Sequence, residues 1–488
     1  MSARGTGGAG TPVPAIGGAR RTERDPLGEV SVPAAALYGA QTQRAVENFP
    51  ISGLRALPAF VRAIARIKRA AAVTHQVTGR LDAERSAAIV RAADEVLAGA
   101  HDDQFVVDVY QAGAGTSLNM NVNEVIANRA NEMLGAARGA YAPVHPNDHV
   151  NMAQSTNDVI PTAMRLAMLD EVGPLTAALV ALQSSLATKA GEFDHIVKAG
   201  RTHLQDAMPI RLGQEFGAWA GSVERAARRI VDAAGYLRDL GIGGTAVGTG
   251  VNAEPAYPAL IVAELRRMTS QPLRAGVNRV QLMQSMGDFV AFSGALRGAA
   301  IELAKIANDL RLLASGPRTG LGEIVLPEVQ PGSSIMPGKV NPSIPEMVNQ
   351  VCCQVIGNDT AVAVAGEQGQ LELNVMMPVI AHNILFSMQI MANAARALDV
   401  RCVAGISAVE AQAAYWVERS TALATALAPR IGYARAAELA KESLRTGEPI
   451  RDIARRLELL PPDELERVLD LRRMTDIGVP GGEKDKDG

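Results

Sequence analysis

The sequence predicts a mainly α-helical protein built around a bundle of long helices. Three observations carry this expectation. Apolar residues recur at helical spacing over long stretches, alanine is abundant, and strand-like alternation is scarce. The 488 residues exceed what one compact core usually holds, so about two to four domains are expected.

The opening stretch MSARGTGGAGTPVPAIGGARR is rich in Gly, Ala, Pro and Arg and lacks the apolar block of a signal peptide. Residues 1–21 are therefore expected to form a disordered extension, with a first domain over 22–155. Long helical segments follow at 161–192, opened by Pro161, and at 213–238. Over 287–315, Phe289, Phe292, Leu296, Ala299, Leu303, Ile306, Leu310 and Leu313 recur at alternating steps of 3 and 4. Such a seam, about four heptads long, marks helices packed at shallow angles. A two-stranded coiled coil shows the same pattern; the number of other long helical segments favours a bundle. Gly316-Pro317 ends this helix, and another begins near Ser343 with Met347, Val348, Val351, Cys352, Val355 and Ile356 on one face. These segments place a central helical-bundle domain at 156–408. A smaller helical domain at 409–488 closes on GGEKDKDG, which is expected to be disordered.

Composition narrows the function. Apolar residues are 48% and charged residues 20%, as in a soluble globular protein. The net charge is −3, from 48 basic and 51 acidic residues, which argues against a nucleic-acid or membrane-surface partner. No uninterrupted run of about 18 apolar residues occurs, so no transmembrane helix is expected. Cys352, Cys353 and Cys402 make no disulfide framework and lack metal-binding spacing, which favours a reducing cytoplasm. His145 and His149 stand four apart, but Pro146 breaks the helix that would align them and no third ligand follows, so no metal site is expected. The glycines of GIGGTAVGTG (241–250) form no dinucleotide fingerprint.

Polar Gly/Asn/Ser/Thr clusters interrupt the helices at 113–124, 145–158, 200–206 and 332–341. The last lies in GSSIMPGKVNP (332–342), whose glycines and prolines exclude regular helix. Backbone N–H groups are left free to face an anion, and Ser343 is placed to cap the next helix. Ser333 and Ser334 offer hydroxyls, Lys339 a positive charge and Asn341 an amide. QSTND (154–158) is expected at a helix N-terminus, where amides and dipole favour negative charge. Singly, each cluster reads as a cap or a turn. Together, with aromatic residues at only 3% to stack a ring, they point to a small, polar, multiply anionic substrate.

GSSIMPGKVNP resembles the signature of the aspartase/fumarase superfamily, and the likeness extends from Thr22 almost to the end of the chain. TERDPLGEVSVPAAALYGAQTQRAVENFPISG (22–53), the other clusters and GIGGTAVGTGVN (241–252) resemble that family in the same order. The resemblance implies an all-α, three-domain fold whose central bundles pack into a homotetramer, with active sites shared between subunits. It implies elimination from a small dicarboxylate, L-aspartate or a relative, to give fumarate. By the same resemblance Ser333 is the general base. Ser334, Lys339, Asn341, Thr116, Ser155, Thr156, Asn157, Thr202 and His203 are substrate contacts, and Glu346 pairs with the histidine. HPNDH (145–149) resembles a secondary carboxylate-binding turn. The resemblance calls for no cofactor and leaves activation by Mg²⁺ open.

The chemistry explains why such groups are needed. Removing a proton beside a carboxylate puts a second negative charge on that carboxylate, so the barrier falls only if preorganised donors hold the dianion. A neutral serine is a poor base, so Ser333 must be ionised or nearly so, helped by loop N–H groups. Within the family, wording separates an ammonia-releasing branch from a hydratase branch. GAGTS (113–117), QSTND, ENFPISG (47–53), PEMVNQV (345–351) and QGQLELNV (368–375) resemble the first. Gly338 and Cys352-Cys353-Gln354 fit the second, and GEQGQ and MMP (376–378) depart from the commoner ammonia-lyase wording. Ser117, where the hydratases usually carry glutamine, changes volume and hydrogen bonding near the site. Intact Ser333, Lys339, Asn341 and Thr202 argue against a catalytically dead relative serving as a structural crystallin.

Overall fold

A computed structural model describes residues 18–482. Most of the expected N-terminal extension and the end of the expected disordered tail lie outside the described residues; Arg20 and Arg21 already belong to a strand.

The fold is helical with short strand pairs. The first elements are β1 (Arg20–Asp25), β2 (Gly28–Pro33), α1 (Ala40–Asn48), α2 (Pro58–Val77), α3 (Ala83–Leu97) and α4 (Thr116–Met133). Then come α5 (Thr156–Glu192), β3 (Val197–Thr202), β4 (Gln205–Arg211), α6 (Leu212–Ala234), β5 (Asp239–Leu240), α7 (Tyr257–Thr269), β6 (Arg274–Ala275), α8 (Arg279–Gln284) and α9 (Gly287–Leu313). The rest are β7 (Ile324–Val325), α10 (Ser343–Glu367), α11 (Met377–Arg401), β8 (Ser407–Ala408), α12 (Glu410–Arg419), α13 (Ala424–Ile431), α14 (Tyr433–Thr446), α15 (Ile450–Arg456) and α16 (Pro462–Val468). Among the described residues each sheet is a single pair, and only β5 and β6 run parallel.

The chain forms two compact units. The first holds the described residues up to 175 with 229–297 and 354–389; the second holds 176–228, 298–353 and 390 onward. In the first, α2 buries Val61, Ile64, Lys68, Ala71 and His75 along one stripe, so its apolar phase carries two polar residues inward. In the second, Leu423, Leu427, Leu439, Ile450, Ile453, Leu465 and Val468 form a core of their own among the C-terminal helices.

The predicted seam is realised in α9. Phe289 and Phe292 are wholly enclosed, and Leu296, Ala299, Leu303, Ile306, Leu310 and Leu313 are all buried. The helix ends at Leu313, before Gly316-Pro317. Helix α5 starts at Thr156 rather than at Pro161, because a capping box forms ahead of the proline. Ser155 Oγ accepts from Asn157 N at 3.2 Å, and Asp158 Oδ1 accepts from Ser155 N at 2.9 Å. This helix alone is long and apolar enough, among the described residues, to cross a membrane by length and composition. Its inner residues are packed against protein, and Arg165 on it pairs with Asp288 at 2.8 Å, so it is a core helix. Ser343 does not cap α10: it is the first helical residue, and its hydroxyl donates to Asn341 O at 3.3 Å.

Candidate active site

The first unit supplies two of the polar clusters. Ahead of α4 the chain turns sharply, with Ala114 at φ +61° and Gly115 at φ +88°. A Cβ on Gly115 would sit 3.1 Å from Ile160, so glycine meets both the backbone and the space requirement. Ala114 N donates to Val375 O at 2.9 Å, and Leu118 N donates to Gln111 Oε1 at 2.8 Å, which anchors the turn on both sides. Thr116 is thereby presented exposed at the start of α4, while Ser117 beside it is 7% exposed.

QSTND is held by its neighbours in the same unit. Asp158 is fully buried and accepts at Oδ2 from Gly243 N and Thr245 N, both at 2.9 Å. Burial pushes its carboxyl up to about 6, against these hydrogen bonds and nearby Lys68, which pull it down. Thr156 Oγ1 accepts from Asn119 Nδ2 at 3.3 Å, and Ser155 Oγ accepts from a backbone N–H, so each hydroxyl keeps its own hydrogen to donate. Asn157 Nδ2 donates to Ala246 O at 2.8 Å, which ties the segment to the 241–252 loop.

The HPNDH turn closes on itself as a π-helical turn at Pro146–Val150. His145 Nδ1 accepts from the N–H groups of Asn147 and Asp148, each at 3.2 Å, and His149 Nδ1 accepts from His145 N at 2.8 Å. Both Nδ1 atoms are thus occupied within the turn. An open cleft of about 600 Å³ lies here, lined by Arg80, Asn147, Asp148, Asn151, Gln154 and Asn252.

The second unit supplies the other two clusters. Residues 200–206, read from sequence as a loop, are the tip of the β3–β4 hairpin. His203 at φ +55° and Leu204 at φ +58° form its turn, and both are exposed, as is Thr202. The base of the hairpin is pinned by charge. Arg201 Nη1 and Lys198 Nζ reach the fully buried Glu323 at 2.9 Å and 3.2 Å, and Lys198 also reaches Glu215 at 3.0 Å. These anchors carry no polar-cluster signal in the sequence; Glu323 is visible only as a charge next to the apolar Ile324-Val325.

The GSSIMPGKVNP loop folds on its own backbone. Gly332 N donates to Lys339 O at 3.0 Å, and Asn341 Nδ2 donates to Gly332 O at 2.7 Å. Gly338 takes φ +77°. Ser333 Oγ accepts from Met336 N at 2.9 Å and Ile335 N at 3.2 Å. Two N–H groups aimed at one hydroxyl oxygen favour negative charge on it. Ser334 and Lys339 are exposed. Glu346 stands in the first turn of α10, and no hydrogen bond or ion pair joins it to His203 among the described residues. Ser333, Ser334, Lys339 and Asn341 therefore come together in one loop, Thr116 and Ser155 to Asn157 share the first unit, and Thr202 and His203 share one turn.

Comparisons with known proteins bear on what these groups do. A family profile described as "Lyase" matches residues 28–357, and one described as "Fumarase C C-terminus" matches 423–476. An aspartate ammonia-lyase from a Bacillus species is 47% identical over 94% of this chain and 98% of its own. A class II fumarate hydratase from Halobacterium salinarum is 52% identical over 95% of this chain and 98% of its own. A crystal structure titled fumarate lyase:delta crystallin, from Brucella melitensis and bound to cobalt, is 51% identical. It superposes with a TM-score of 0.91 over 94% of this chain and 100% of that one.

Proposed function

The chain belongs to the aspartase/fumarase superfamily of lyases, and on that premise we propose that it deaminates L-aspartate reversibly to fumarate and ammonia. One observation carries the choice of leaving group. Ser117 lies buried beside the exposed Thr116 at the start of α4, where a hydratase usually has glutamine. A short hydroxyl in place of a long amide changes volume and hydrogen bonding beside Thr116, and in this reading that change suits an ammonium leaving group. The ammonia-lyase wording of QSTND and PEMVNQV points the same way.

In this reading Ser333 Oγ, charged with help from the N–H groups of Ile335 and Met336, takes the Cβ proton. The electron pair passes into the adjacent carboxylate as an aci-carboxylate dianion. Thr116, Ser155, Thr156 and Ser334 donate to it, and losing one such donor typically costs about 10²–10³ in rate. The pair then returns to form the carbon–carbon double bond as the carbon–nitrogen bond breaks and ammonia leaves. Lys339 and Asn341 anchor the other carboxylate, while Asn157, Thr202 and His203 surround the amine. Cofactor independence is part of the proposal. So are a homotetramer with shared sites, a three-domain division at 22–155, 156–408 and 409–488, and a reducing cytoplasm. The last draws support from three free cysteines, of which Cys352 and Cys402 are buried with thiols pushed up to about 12.

A second reading, hydration of fumarate to L-malate, is favoured by Gly338, by Cys352-Cys353-Gln354 and by the Halobacterium relative. Purified protein given each substrate separates the two. L-aspartate should yield the ultraviolet absorbance of fumarate while L-malate yields little; strong malate turnover with none from aspartate reverses the assignment.

A further inference from the structure

Lys68 lies in the buried phase of α2, in register with Ile64, Ala71 and His75, and is 0% exposed. Among the described residues no carboxylate forms an ion pair with it, unlike buried Lys198, which has Glu215 and Glu323. Buried Asp158 acts on the amine only through space, without a direct ion pair. Enclosing an amine so is costly, and an apolar residue of the same length would pack the stripe of α2 more cheaply. What the amine gains instead is a grip on one loop. Its Nζ donates to Asn151 Oδ1 at 2.8 Å and to Gln154 Oε1 at 2.9 Å. One turn pair along the same stripe, His75 Nε2 donates to Met152 O at 2.9 Å, its ring stacked on buried Tyr257 at 4.7 Å.

Residues 151, 152 and 154 are thus held from behind by α2, just before Ser155, Thr156 and Asn157 emerge. Asn151 Oδ1 also receives Asn119 Nδ2 at 3.4 Å, the same amide that reaches Thr156 Oγ1. The chain of contacts therefore runs from Lys68 through Asn151 and Asn119 to a hydroxyl with a free hydrogen. We propose that Lys68 is a positioning residue: from inside the core it fixes the 151–157 segment so that Thr156 and Asn157 meet a dicarboxylate in one geometry. The assignment of those two residues as substrate contacts rests on the lyase reading; the ordering of the segment does not.

The test uses the full-length protein with Lys68→Met, which keeps length and removes the donor. Amide hydrogen exchange over 145–160 should quicken at least about tenfold while the C-terminal helices are unchanged. The kcat on whichever of L-aspartate or L-malate the wild type uses should fall about 10²-fold, since small misplacements at a site cost that much. A merely structural role would lower the melting temperature without changing kcat per folded molecule or exchange in that segment. If Lys68→Met does not fold, Gln154→Met removes one of the two acceptors and should move both readouts the same way by less. Unchanged exchange over 145–160 in a folded variant, or kcat within threefold of wild type, overturns the proposal. Failure of the wild type on aspartate would sink the substrate assignment alone, because the exchange measurement needs no turnover.

Discussion

Ser333 and Lys68 show two ways in which a residue declares itself. Ser333 sits in a motif whose glycines and prolines announce a loop, and the structure adds that two backbone N–H groups already address its oxygen. Lys68 lies in ARIKRAAAV, where a lysine among arginines reads as a solvated helix face; only the inward phase of Ile64 and Ala71 betrays it. The buried layer around its amine contains Asp158 of α5, together with His75 and Tyr257. Burial pulls the Lys68 amine down to about 7, with Asp158 opposing. Unfolded, the amine keeps its proton to about 10.4, so unfolding takes up a proton between these values. The Lys68 contribution to stability is therefore least at and below pH 7 and rises as pH climbs toward the unfolded value. The difference in unfolding free energy between wild type and Lys68→Met should shift in favour of wild type by up to about 1 kcal/mol per pH unit across that window. A difference flat from pH 7 to 9 in denaturant titrations would contradict it. Because a neutral amine still donates, the grip on Asn151 and Gln154 survives this titration.

At the scale of elements, periodicity served where packing is one-sided and long. The α9 seam was legible because a bundle helix must bury the same stripe turn after turn, and Phe292 on it is 0% exposed. Phe292→Ala should cost about 3–5 kcal/mol, read as a lowered denaturant midpoint, because a large enclosed ring leaves a cavity. A cost below about 1 kcal/mol would mean that this stripe is not packed as described. The β3–β4 hairpin was not legible for a physical reason. Its strands, VKAGRT and QDAMPIR, lack clean alternation because charged Lys198 points inward to Glu323, and its turn is His-Leu rather than a glycine pair. The helix start at Thr156 was hidden by Pro161, which looked like a first-turn proline until the Ser155–Asp158 box claimed the end. Ser343 failed as a cap because it is itself the first helical residue, one position past the cap, with its hydroxyl turned back to Asn341 O.

For the whole molecule, helical class and family were legible from motifs that run nearly the length of the chain, and the Lyase match over 28–357 agrees. Assembly was not, because a single sequence shows apolar helix faces without saying what covers them. Ile301 on α9 and Val364 on α10 are 52% and 53% exposed in the isolated chain, and the proposed homotetramer is what would have to cover such residues. The central claim is that Ser333 removes the substrate proton at a site completed by donors from other copies of the chain. Mixing two inactive variants tests it most directly. Ser333→Ala and Thr116→Ala should each fold yet lose at least about 10² in turnover of L-aspartate. Unfolded together and refolded, they should recover activity far above the sum of the two alone, since some sites then hold both native residues. Near-wild-type turnover by Ser333→Ala, or a mixture no more active than its parents, would contradict the account.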